Sequence, residues 1–157
     1  MVMAEKMPRR SEVDKSLTWD LTGIFRDEKS FKETFDKYIS LGEGIERDYK
    51  GRLKTAKDMN ECLDRLRELE MLGGLLENYS YLNAEVDLKN MKAQEKLENI
   101  SNRISAMESR LSFVEAEIME ASEDVLMEAA RENPENLGYY KFIIRKKPYR
   151  LHPEAER

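Results

Sequence analysis

The chain has 157 residues, with 27 basic and 32 acidic side chains giving a formal net charge of -5, and a mean hydropathy of -0.74. That length fits one domain on the prior of roughly 100–200 residues per domain, and the acidic balance argues against a nucleic-acid surface, which needs a basic excess on one face. No apolar run approaches the roughly 20 residues needed to span a bilayer, and nothing calls for an anionic membrane partner.

Hydrophobic residues make up 40% and aromatics 8%, so the chain is not compositionally disordered. Glycine (7) and proline (4) are scarce, and the abundant Glu, Lys, Leu, Met and Arg are good helix formers. The expectation is an all-α fold: an antiparallel bundle of about five helices, two or three of them long, with an extended N-terminal lead-in. Residues 1–15 read as a flexible lead-in and 16–157 as a single helical domain. Met1 to Arg10 has no apolar core of a secretory signal, and the lone Cys62 cannot form an internal disulfide. Both features suggest a cytoplasmic protein.

In chain order, Ser16 to Phe25 places Leu17, Trp19, Leu21, Ile24 and Phe25 without helical spacing. It is expected to lie extended across a neighbour, anchored by its aromatics. The spacing of Phe31, Phe35, Tyr38, Ile39, Gly42 and Ile45 predicts a first helix from about Asp27 to Tyr49. Gly42 and Gly44 weaken it, and Gly51 marks its stop.

Asp58-Met59-Asn60-Glu61 has capping-box spacing and is expected to open the second helix. Its stripe runs from Met59 and Cys62 through Leu69 and Leu76 to Leu82, with an end near Ala84. Gly73-Gly74 inside it points to a close helix–helix approach or, alternatively, to a break.

Asp87 to Asn90 reads as a turn and N-cap for a third helix over 91–120. Leu97, Ile100, Ile104, Met107, Leu111, Val114 and Ile118 form a strict a/d heptad seam there. Ser122 is expected to cap a short fourth helix, and Asn133-Pro134 to end it and begin a fifth that Pro148 stops. Tyr149 to Arg157 looks like the start of a further phrase of chain.

Candidate chemistry is sparse. A zinc site of the His-Glu-x-x-His kind needs two histidines one turn apart, and His152 is the single histidine. Cys62 sits on the apolar stripe and reads as a small core residue; pairing with His152 has no support in the pattern. Glu115 and Glu117 are expected on a solvated face, since paired catalytic acids need a cleft that perturbs them. No Gly-rich segment is followed by Lys-Ser/Thr, so no phosphate loop is present. Arg145-Lys146-Lys147-Pro148-Tyr149-Arg150 is the basic cluster, and its cations suit the last turn of a helix. No catalytic, cofactor-binding or metal residue is assigned.

Several phrases together carry a resemblance. Arg9-Arg10-Ser11-Glu12 is followed by Thr18-Trp19-Asp20-Leu21-Thr22-Gly23-Ile24-Phe25. Tyr49-Lys50-Gly51-Arg52-Leu53, then Tyr79-Ser80-Tyr81 with Asp87, then Ser112-Phe113-Val114-Glu115-Ala116-Glu117-Ile118 come next. Tyr149-Arg150-Leu151-His152 closes the series. In this order the chain resembles the N-terminal region of the oligoendopeptidase F family, thimet-oligopeptidase-like zinc metallopeptidases. The resemblance implies a helical domain beside a larger catalytic region, the two enclosing a channel for short peptides. It also implies that zinc and its ligands belong to the longer parent, that the chain alone binds none, and that it is inactive by itself. His152 matches a structural position, not a ligand.

The expected function is therefore that of one wall of a peptidase's substrate channel, in a fragment of a longer chain. Expected partners are short peptides, together with the missing catalytic domain, for which apolar surface around Trp19 and Phe25 would be exposed, and other copies of the chain through exposed apolar surface. No nucleic acid or membrane is expected. The alternative is a helical adaptor that binds a partner through the seam of the third helix; a small free-standing enzyme is the third reading.

Overall fold

The computed structural model describes residues 12–149. Among these residues there are six α-helices and several 3-10 turns, with no strand: α1 (Glu28–Tyr49), α2 (Ala56–Glu85), α3 (Met91–Leu111), α4 (Phe113–Glu120), α5 (Glu123–Glu132) and α6 (Leu137–Lys146). The all-helical expectation holds. Since α3 and α4 continue one another across Ser112, the chain makes five rods.

α1 begins in a full capping box. Asp27 accepts from the Ser30 N–H at 2.8 Å and the Ser30 hydroxyl accepts from the Asp27 N–H, so orphan donors of the first turn are satisfied. Its stripe buries Phe31, Tyr38, Gly42 and Ile45. Neither Gly42 nor Gly44 interrupts it. Gly42 leaves room for the Met107 side chain, and the Arg65 guanidinium covers Gly44. Gly51 ends the helix at φ 78°, a left-handed conformation that suits glycine.

The expected cap of α2 is corrected by three residues. Thr55, not Asp58, is the N-cap; its hydroxyl accepts from the Asp58 N–H at 3.1 Å and donates to the Asp58 carboxylate at 2.8 Å. Thr55-x-x-Asp58 is the reciprocal pair, and the extra turn buries Ala56. α2 runs unbroken through Gly73-Gly74. At Gly73 a Cβ would come within 3.1 Å of the Tyr38 ring, whereas at Gly74 it would meet nothing within 4 Å. Close approach explains the first glycine only.

Asn90 caps α3, accepting from the Ala93 N–H at 3.2 Å. The expected long helix over 91–120 is present as one rod, α3 and α4, with a single turn residue at Ser112, whose hydroxyl donates to the Ser109 carbonyl at 2.9 Å. That local bond competes with the α-helical ladder. Ser122 caps α5, and Pro134–Asn136 forms a 3-10 turn leading into α6.

Contacts fix the topology. Tyr38 lies against Gly73, and Asp48 accepts from Arg65 at 2.8 Å, so early α1 meets late α2. Gln94 donates to the Ala84 carbonyl and Ser101 to Glu77, so α3 returns along α2. Glu28 pairs with Lys96 and Glu46 with Arg110, making α1 and α3 parallel. The result is an up-down-up bundle. α5 and α6 pack against the first half of α2, joined by a buried carboxamide cluster. Asn60 donates to the Ala129 carbonyl at 2.9 Å, and its oxygen accepts from Asn136 at 3.0 Å and from the Tyr140 hydroxyl at 2.8 Å.

The segment before α1 differs from the expected extended strap. It forms 3-10 turns over Lys15–Leu17 and Leu21–Gly23. Asp14 and Asp20 stabilise them, accepting from the N–H and hydroxyl of Ser16 and Thr22. Of its aromatics, Phe25 alone is anchored, with its ring centroid 5.3 Å from Phe31 and 5.1 Å from Tyr79. Trp19 is 74% exposed and Leu17 78%.

Candidate functional site

The Gly73-Gly74 step sits where α2 leaves space between itself and α3. A cleft of about 420 Å³ opens there, floored by Tyr38, Leu66, Leu69, Ile104 and the two glycines. Tyr139 of α6 and Val114 of α4 close one end. Four carboxylates line it: Glu70 and Glu77 on α2, Glu108 on α3 and Glu115 on α4. No basic residue lines it. Lys146 pairs with Glu115 from outside, and Ser101 donates to Glu77 at 3.3 Å.

Tyr38 is 2% exposed, and burial, with the charges of Glu108 and Glu77, pushes its hydroxyl up to about 12. It is a neutral phenol at pH 7. Burial raises Tyr139 further, aided by Glu115. Among the described residues the Tyr38 hydroxyl has no hydrogen-bond partner, yet no buried side-chain polar atom is sealed without one. The hydroxyl therefore keeps some contact with solvent, and Tyr38 lines the cleft. Sequence reasoning flagged the glycine pair but not this feature, because the four glutamates lie 7 to 45 positions apart and only helix packing gathers them.

Of the candidate residues singled out in the sequence, Glu115 lines the cleft and the others fall elsewhere. Cys62 is fully buried beside the Asn60 cluster, and desolvation pushes its thiol up to about 12, so it is an inert core thiol. The Glu115 side chain is 45% exposed, as its expected solvated face implies, but Glu117 is engaged within the fold. Glu117 reaches back to the turn between α1 and α2, accepting from the N–H of Gly51 at 2.6 Å and of Leu53 at 3.3 Å. Only the fold brings that turn, 66 positions earlier, to the glutamate. In the basic cluster, Lys146 bonds Glu115 and Lys147 bonds the Ala121 carbonyl; Arg150 and His152 lie outside the described residues, as do Met1 to Ser11. Most of the heptad seam is spent internally, with Ile100, Met107, Leu111, Val114 and Ile118 buried and Leu97 and Ile104 half-buried.

Among the described residues no group of three or more His, Cys, Asp or Glu could hold a metal ion. No helix among them is long and apolar enough to cross a membrane.

These features define an all-helical domain with an acidic, tyrosine-floored cleft. The chain is similar to the oligopeptidase PepF of Bacillus subtilis (strain 168), 27% identical over 142 residues. That match covers 90% of this chain and 21% of the relative, so the chain spans about a fifth of that protein's length. No protein-family model matches the chain, and no solved structure matches it.

Proposed function

We propose that the chain is the N-terminal helical domain of a cytoplasmic, zinc-dependent oligopeptidase that hydrolyses short peptides. The observation that carries this reading is the likeness to an oligopeptidase along 90% of the chain but only 21% of the relative. In this reading the helices form one wall of the substrate channel and limit entry by size. Residues outside this chain would hold the parent's zinc, which would supply Lewis-acid polarisation of the scissile carbonyl and an activated water. The residues here act sterically: the bundle α1–α3 is the rigid wall, and α5 and α6 brace it through Asn60.

The adaptor reading needs a seam free to bind, and five of the seven seam residues of α3 and α4 are buried in the fold's own core.

The test is the native reading frame beyond Arg157. It is expected to encode a His-Glu-x-x-His segment a few hundred residues on. The full-length product should cleave a quenched fluorogenic heptapeptide in a zinc-dependent manner, while residues 1–157 alone should not. A stop codon directly after Arg157, or zinc-dependent turnover by the 157-residue chain, overturns the proposal.

A further inference from the structure

The cleft between α2 and α3 combines three features that no role in holding the bundle together requires. Its volume of about 420 Å³ falls within the roughly 300–1,000 Å³ of small-ligand sites. Its floor is apolar, and Gly74 keeps it open although nothing within 4 Å requires a glycine there. Tyr38, 2% exposed, lines it, and its hydroxyl has no hydrogen-bond partner among the described residues and feels the charges of the cleft's Glu108 and Glu77.

The charge around the cleft has one sign. Glu70 and Glu108 have no ion-pair partner among the described residues, Glu77 accepts only a neutral hydroxyl, and Glu115 alone is matched by a lysine. These carboxylates do not converge on a point, since no metal-holding group forms. A compact divalent ion is therefore poorly served. A flat or extended organic cation on an alkyl stem meets all of the features at once: methylenes against the apolar floor, N–H groups toward the rim carboxylates and the phenol oxygen.

We propose that this cleft binds an arginine or lysine side chain of an extended peptide, with the Tyr38 hydroxyl accepting one N–H of the cation and Glu70 and Glu108 supplying the counter-charge. The neutral phenol takes the bond without adding charge. This is a binding property of the chain itself and holds independently of the peptidase reading.

The experiment uses the whole chain and a fluorescein-labelled heptapeptide alternating leucine and arginine, followed by fluorescence anisotropy at physiological salt. Its twin carries citrulline in place of arginine, keeping shape and removing charge. The arginine peptide is expected to bind at least about tenfold more tightly than the citrulline twin, the loss of a charge-assisted hydrogen bond being worth about that factor. Gly74→Leu fills the cleft without altering the protein's charge, so it separates cleft binding from general attraction to an acidic surface. It is expected to weaken binding by about tenfold or more while helical circular dichroism is retained. Gly74→Ala is expected to leave binding intact. Should Gly74→Leu fail to fold, Tyr38→Phe keeps the ring and deletes the hydroxyl, and is expected to weaken binding several-fold. Equal affinity for the two peptides, or unchanged affinity in the folded cleft variants, overturns the proposal.

Discussion

At the scale of single residues, Asn60 is the pivot of the second half of the fold. One carboxamide ties the α5 backbone, the turn before α6 and the Tyr140 hydroxyl to α2, and it is itself buried. Its replacement by leucine leaves the Asn136 amide and the Tyr140 hydroxyl buried without this acceptor. Each orphan costs about 1–3 kcal/mol, so Asn60→Leu is expected to lower unfolding free energy by on the order of 3 kcal/mol in a urea titration. Tyr140→Phe removes one of two donors to the same oxygen and is expected to cost about 1 kcal/mol. Trp19 behaves oppositely. It is 74% exposed, so Trp19→Ala should cost under about 1 kcal/mol in this chain, not the 3–5 kcal/mol or so of a buried aromatic.

Asp48 carries the clearest pH signature. Hydrogen bonds from Arg47 and then Arg65 lower its carboxyl from 3.8 to about 2. A folded-state value below the unfolded one means the carboxylate stabilises the fold above 3.8, and that contribution is lost as pH falls toward 2. Asp48→Asn is expected to flatten the acid limb of a stability–pH profile in that window while leaving its shape above pH 5 or so unchanged. An unaltered acid limb would remove the pair from the explanation of acid unfolding.

At the scale of elements, the two adjacent glycines of α2 separate propensity from packing. Both sit mid-helix, where glycine costs about 0.8–1.0 kcal/mol relative to alanine. At Gly74 the added methyl meets open space, so Gly74→Ala is expected to stabilise by about that amount. At Gly73 the Tyr38 ring stands 3.1 Å from the new Cβ, so Gly73→Ala should gain less or lose stability, because the ring must give. Thermal melts of the two variants decide it. Glu117 ties α4 to the α1–α2 turn in a similar element-to-element way. Removing its carboxylate frees two backbone N–H groups at Gly51 and Leu53, and Glu117→Ala is expected to cost on the order of 2 kcal/mol in urea unfolding.

At the scale of the whole molecule, the uneven surface matters most. Leu17 and Trp19 stand out from the bundle at 78% and 74% exposure, while Phe25 of the same phrase is locked into the Phe31–Tyr79 aromatic cluster. Trp19 is the single tryptophan, so fluorescence reports on it alone. In this chain its emission is expected to be water-exposed and fully quenchable by acrylamide. In the full-length protein, if the proposed domain role holds, the emission should shift to the blue and become protected. Equal quenching in both would place the partner surface elsewhere. The lysine-rich end of α6 is partly committed within the fold, through Glu115 and the Ala121 carbonyl.

The amino-acid sequence by itself determined the helical class, most helix positions, the seam of α3 and α4, and the inert setting of Cys62. Each follows from local propensity and from a period of 3.6 that a single helix satisfies alone. Several features were decided only in three dimensions. The cap of α2 moved to Thr55 because it and Asp58 satisfy each other, a choice between two acceptors that spacing does not rank. The lead-in became turns because Asp14 and Asp20 bond their own backbone, which left Trp19 in solvent and Phe25 as the anchor. Glu117 became a turn-holder, and Tyr38 with four glutamates became a cleft. These depend on contacts between elements remote in the chain, where no local periodicity carries the information and only the packing of helix on helix brings the groups together.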